Sequence, residues 1–166
     1  KSELEKLGVW DELPKLYDNA VLKYNYSGPN FQELINNGHF IIEALRPGVQ
    51  LNTLNKFLNI DDIGVIRHDK LTAKQKKQYL INAFNQIGKN YDFNFNVESS
   101  NEIVCSELIY IALNDIEWNT KKTIGRYTIS PDNVAQKLKG SNFKPILLYI
   151  DGEEIDQNIK QMFPTN

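Results

Sequence analysis

Apolar positions recur along this chain with two different periods, and the periods divide it into elements. The clearest period near 3.6 lies in "TAKQKKQYLINAFNQIGKN". There Leu80, Ala83, Phe84 and Ile87 fall at i, i+3, i+4 and i+7, which predicts an amphipathic helix. Thr72 and Gln75 stand at capping-box spacing before it, and Gly88 ends it. A period of two marks "GHFIIEALRPGV" as a strand over Phe40 to Leu45, closed by the turn residues of "RPG". Alternation puts Phe40, Ile42 and Ala44 on one face, and His39, Ile41, Glu43 and Leu45 on the other. "DIGVIRH" predicts a buried strand. "YDFNFNV" predicts an extended segment with one aromatic face, Tyr91, Phe93, Phe95 and Val97. At Cys105 the period changes from two to 3.6, and Cys105, Leu108, Ile109, Ala112 and Leu113 share a helical face.

Shorter signals fill the gaps. "SELE" reads as a capping box of Ser2 with Glu5, opening a short helix that carries Leu4 and Leu7. "YSGPN" is a loop, and a short helix follows around Phe31, Leu34 and Ile35. "NTLNKFLN" predicts another, with Leu54, Phe57 and Leu58 on one side. "ISPDNVAQKL" starts a helix with Ser130 as cap and Pro131 at its first position. "FKPILLYIDG" reads as a late strand in which Pro145 points to an edge, and the polar tail from Glu153 to Asn166 as helical. Strands and helices mix without βαβ alternation, so the fold class is α+β, in a single domain over 1–166.

Composition narrows the partners. The 166 residues are 41% hydrophobic and 24% charged, an ordinary globular balance. A net charge of -2 argues against general attraction to nucleic acid or anionic membrane. The basic run "KLTAKQKK" lies on a predicted helix, faces water and has no interleaved aromatics. No apolar stretch approaches the ~20 residues that span a bilayer. One cysteine leaves neither an internal disulfide nor a cysteine-rich zinc site. Without histidine and cysteine partners at ligand spacing, Asp92 and Asp61–Asp62 read as turn or cap residues, and neither metal nor organic cofactor is expected.

Two readings of Cys105 stand side by side. Free cysteine is among the most buried residue types, and sharing a face with Leu108 and Ile109 suits a core. Alternatively, a sulfur in the first turn of a helix lies near unsatisfied N–H groups, which favour the thiolate nucleophile. A nucleophile needs a base and the base an orienting partner. His39 and Glu43 share a strand face but stand about 13 Å apart along it, beyond hydrogen-bond reach. His39 reads as a turn residue after "NNG", and His68 closes a strand in "IRHDK". Glu43, in so apolar a run, needs Arg46, backbone donors, partial exposure or a histidine to orient. Tyr91 is either a half-buried aromatic or a hydroxyl donor to a substrate carbonyl or oxyanion.

"GKNYDFNFNVESSNEIVCSELIYIAL" resembles the nucleophile block of the permuted papain-like NlpC superfamily, in its YiiX/YebB-like branch. "FIIEALRPGVQLNTLNKFLNIDDIGVIRH" and "GRYTISPDNVAQ" are similar to two further blocks of that branch, so the likeness runs from about Phe40 to Leu138. The resemblance implies a circularly permuted papain-like fold, with a small, mostly antiparallel sheet packed against the nucleophile helix. It implies Cys105 as nucleophile, Glu43 as the third triad member and Tyr91 beside the site. The family's histidine lies on a strand upstream of the glutamate. No such motif is found here, and "YDNAVL" offers only Asn19 by crude spacing. "LGVWDE" resembles the insertion that follows the histidine strand, so the expectation is that the given chain begins just after it. The implied activity is hydrolysis of an amide, in a peptidoglycan-type peptide or γ-glutamyl linkage, or of an acyl ester. The alternatives are an inactive module that binds peptide, glycan or lipid in the old cleft, and an envelope structural domain with Cys105 buried. Envelope or periplasmic residence in a bacterium rests on the resemblance alone.

Overall fold

In the computed structural model, which describes residues 1–36, 40–93, 102–123, 125–140 and 142–155, the first elements are helical. They are α1 (Ser2–Lys6), α2 (Leu13–Tyr24) and α3 (Phe31–Asn36). Ser2 does not cap α1: the cap position is Lys1, and no side chain bonds there. α2 is absent from the elements predicted above. Pro14 stands in its first turn, where a missing N–H has no helical partner to lose. Its inward face is Leu13, Tyr17 and Ala20, and Asn25 ends it in the left-handed region at φ 50.

The predicted strand is β1 (Phe40–Leu45), and β2 (Gly48–Thr53), not predicted, returns antiparallel to it. Ala44, Val49 and Leu51 face the main core, with Phe40 and Ile42 packed against it. Glu43, opposite Gln50, is on the other face. Beyond β2, residues 88–92 add a further row, entered through Gly88 at φ 84. Val49 N–H donates to Lys89 O at 2.8 Å, and Tyr91 N–H to Pro47 O at 2.9 Å. Gly48 is required there, because a Cβ would lie 2.0 Å from Lys89 O. Asn90 in turn bridges Glu102 in parallel, and Ile103 N–H donates to Asn90 O at 2.9 Å. The row leads directly into α6 (Cys105–Ala112), which packs on β1.

Between these lie α4 (Leu54–Phe57), β3 (Ile63–His68) and α5 (Ala73–Phe84). The Thr72–Gln75 capping box of α5 is present, and Phe84 and Ile87 reach the main core as their spacing predicts. Lys74 and Lys76 of the basic run are exposed. After α6 come the hairpin β4 (Lys121–Thr123) and β5 (Arg126–Thr128), then α7 (Pro131–Ala135). Ser130 caps α7, and a 3-10 turn over Gln136–Leu138 follows. β6 (Phe143–Ile150) and β7 (Glu153–Glu154) complete the order.

β3, β6 and β7 form an antiparallel sheet with β6 in the middle. Pro145 therefore does not lie on an edge strand. β7 pairs only with Tyr149 and Ile150, and Pro145 sits where the β3–β6 register slips between Val65 and Ile66, a place that tolerates a missing donor. β3 is half-buried rather than buried, because Gly64 and Arg67 are exposed. Glu153–Glu154 is strand rather than helix, and the rest of the predicted tail helix lies outside the described residues. A second core joins Trp118, Ile129, Val134, Leu138 and Phe143. α6 stands between the two cores, with Leu108 in the first and Tyr110 and Leu113 against the second. The fold is the α+β arrangement of small antiparallel sheets and helices expected above.

Candidate active site

Cys105 is the first residue of α6, preceded by Val104 in extended conformation. An apolar cap residue has no side chain to offer the free N–H groups of the first turn. Glu107 compensates by reaching back, and its Oε2 accepts from Val104 N–H at 3.0 Å. Glu107 is 2% exposed, and its Oε1 has no hydrogen-bond partner. Burial, with Asp92 close by, holds its carboxyl above the ordinary range, against the lowering effect of the Val104 bond. Ser106 is buried too, and its hydroxyl donates to Ile129 O at 2.6 Å.

The face that α6 turns inward is thus Ser106, Glu107, Leu108 and Ala112. Cys105 and Ile109 are exposed. The reading of Cys105 as a core residue is overturned. The helix is rotated so that two polar residues, each with a dedicated hydrogen bond, are buried in its place.

Cys105 and Ile109 line a cavity of about 310 Å³. Its walls are Gly64, Val65 and Ile66 of β3, Pro145, Leu147 and Leu148 of β6, and Val134 and Leu138 beyond. The lining is almost wholly apolar. The N–H groups of Cys105, Ser106 and Glu107 have no i−4 carbonyl within the helix, the arrangement that stabilises negative charge at a helix start.

The other predicted residues do not line this cavity. Glu43 Oε1 accepts from Asn52 Nδ2 at 2.5 Å, and Asn52 Oδ1 accepts from Lys56 Nζ at 3.0 Å. This chain of polar contacts lies on the strand face turned from the core. Tyr91 is half-buried in the row next to Glu102–Ile103, edge-on to Phe93 at 5.4 Å. Phe93 itself is 60% exposed, under the guanidinium of Arg46. Phe95 and Val97 of the predicted aromatic face lie outside the described residues, as does His39. His68 ends β3 and is not among the residues that line the cavity with Cys105. Its Nδ1 accepts from Lys70 N–H at 3.3 Å, and its ring meets Phe143 edge-on. Among the described residues no group of three or more metal-ligating side chains converges.

The sequence reading did not single out Glu107, which bonds Val104 N–H, or Asn52, which bonds Glu43. A glutamate two places after the cysteine is the third helical residue, the place from which a side chain reaches the cap N–H. That spacing was readable in "VCSE". Asn52 has no such signal, because β2 was not predicted.

A cysteine opening a helix that packs against a small antiparallel sheet defines the papain-like class of architecture. The family model for permuted papain-like amidases, the YaeF/YiiX or C92 family, matches residues 15–164, and the chain belongs to that family. No curated protein and no solved structure gives a significant match. No helix among the described residues is long and apolar enough to cross a membrane.

Proposed function

We propose that this chain is a cysteine amidase that cleaves the amide of a hydrocarbon-bearing acyl group. The supporting observation is the placement of Cys105, exposed at the first position of α6 and lining an apolar cavity. The acyl chain lies between β3, β6 and α7, which brings its carbonyl to the sulfur. The Cys105 thiolate attacks that carbonyl carbon and forms the C–S bond. The Cys105 backbone N–H donates to the oxyanion, with Tyr91 beside the site. A histidine from outside the described residues carries the thiol proton to the leaving nitrogen, and the C–N bond breaks. Water, deprotonated by the same imidazole, then hydrolyses the thioester to acid and free thiol. Glu43, held by Asn52, orients that imidazole.

The test uses N-acyl p-nitroanilides with acyl chains from acetyl to decanoyl. Turnover that rises with chain length and vanishes in Cys105→Ala supports the proposal. Saturable binding of the decanoyl compound with no turnover makes the chain an inactive binding module instead. Turnover independent of chain length removes the cavity from substrate recognition. Iodoacetamide should alkylate Cys105 in the folded protein without denaturant, and protection by decanoate would tie the sulfur to the cavity.

A further inference from the structure

We propose that Arg46 and Phe93 form a leaving-group subsite that selects amides whose amine carries an anionic group, a carboxylate or a phosphate. The inference rests on the amidase reading above and deepens it.

The backbone brings both residues toward the sulfur. Tyr91 N–H donates to Pro47 O at 2.9 Å, which ties the turn between β1 and β2 to the row over 88–92. Gln50 Nε2 donates to Arg46 O at 3.3 Å across that turn. On its other side the row runs parallel to residues 102–103. Ile103 N–H donates to Asn90 O at 2.9 Å, and Asp92 N–H to Ile103 O at 3.3 Å. Neighbouring rows of this kind stand about 4.8 Å apart. Phe93 therefore leaves its row where Val104 leads into Cys105. Neither Phe93 nor Arg46 lines the apolar cavity, so they approach the sulfur from outside the space assigned to the acyl chain.

Their chemistry suits an anion. Phe93 is 60% exposed, and the Arg46 guanidinium lies over its ring at 4.9 Å. A ring face attracts a cation and steadies the guanidinium plane. Arg46 is exposed as well, and no carboxylate among the described residues stands within ion-pair distance of it. Glu43, the acidic residue nearest to it in sequence, is bonded to Asn52 instead. The guanidinium is thus held with its N–H fork open, and such a fork matches the paired oxygens of a carboxylate or phosphate. A cationic leaving group would be repelled there, and a neutral one would gain nothing.

The test compares four N-decanoyl amides by release of their amines. Those of β-alanine and phosphoethanolamine carry an anion, that of propylamine is neutral, and that of ethylenediamine is cationic. At least one anionic amide should exceed the propylamide by about five-fold in kcat/KM, the reach of one well-placed charge pair, and the diamine amide should be poorest. The larger of the two anionic ratios tells carboxylate from phosphate. The preference should fade in 1 M salt, where the screening length is about 3 Å. Arg46→Met, which keeps a stem over Phe93 and removes the charge, should bring the ratio to about one. Phe93→Leu, which removes the ring beneath the guanidinium, should at least halve it. A ratio near one in the wild type, or a preference that survives Arg46→Met, overturns the proposal. Protection of Cys105 from iodoacetamide reads the same preference without turnover. If no amide is cleaved, yet an anionic amide protects better than the propylamide and Arg46→Met abolishes the difference, the subsite stands and the amidase reading falls.

Discussion

The Val104 N–H donates to Glu107 Oε2 at 3.0 Å, which sets a buried carboxyl directly behind the exposed sulfur of Cys105. Burial comes first among the causes that hold this carboxyl above its ordinary value of 4.5. Below that pH both folded and unfolded chains are protonated there, so the group makes no difference. As pH rises past it, the unfolded chain ionises first and stability falls, until the folded group ionises as well. Urea unfolding from pH 4 to 7 should show this decline, about 1.4 kcal/mol for every pH unit between the two titrations. Glu107→Gln should flatten it. A Glu107→Gln protein with the wild-type slope would show that another group is responsible. Glu107→Ala, which leaves the Val104 N–H without its acceptor, should cost about 1–3 kcal/mol at any pH.

Glu43 is held by Asn52, and Asn52 by Lys56. Glu43→Gln keeps an acceptor for Asn52 Nδ2, so melting should change little. If Glu43 orients the base, the acyl anilide assay should show kcat lowered at least about 10-fold with KM nearly constant. Asn52→Ala should lower kcat less, because the carboxylate remains while its support is lost. Full activity in Glu43→Gln would remove this residue from the mechanism.

Gly64 offers a way to shorten the apolar cavity without disturbing its frame. A Cβ there would meet Leu148 Cδ1 at 3.8 Å, an ordinary contact, and both residues line the space beside Cys105. Gly64→Leu should leave melting within a few degrees of wild type. KM for decanoyl substrates should rise several-fold, and acetyl substrates should be unaffected. An equal change for both chain lengths would show that the cavity does not hold the acyl group.

Gly48 is the opposite case. The Cβ of Gly48→Ala would lie 2.0 Å from Lys89 O, a backbone atom that cannot swing aside. β2 and the row carrying Tyr91 must then separate, with a loss of about 2 kcal/mol or more in urea unfolding. Near-uv circular dichroism should report the displaced Tyr91. A protein with unchanged stability would show that the row can shift along β2.

Much of this architecture was legible because single periodicities carried it. α5 has a capping box and an apolar stripe that agree with one another, and both form as predicted, but the helix closes at Asn85, three residues before Gly88, which the pattern assigned as its end. β1 was readable from alternation, and its faces fall as expected. β2 was not, because "GVQLNT" alternates against a strand rather than by itself, and its partner row 88–92 becomes visible only in three dimensions. α2 was hidden by Pro14, which punctuates a sequence but suits a first turn. The helix after Cys105 has the predicted start, and Leu108, Ala112 and Leu113 pack inward as predicted, but Cys105 and Ile109 do not. Apolar periodicity assigned Cys105 inward, whereas Glu107 and Ser106 are buried through bonds that hydropathy does not register.

The bond from Ser106 to Ile129 O has a further effect. It rivets the start of α6 to the residue just before the cap of α7, so two sides of the chamber beside Cys105 form a single stiff jaw. On the proposed reading, a bulkier acyl group has to push back the opposing strands, so β3 and β6 would gauge the girth that the cavity accepts.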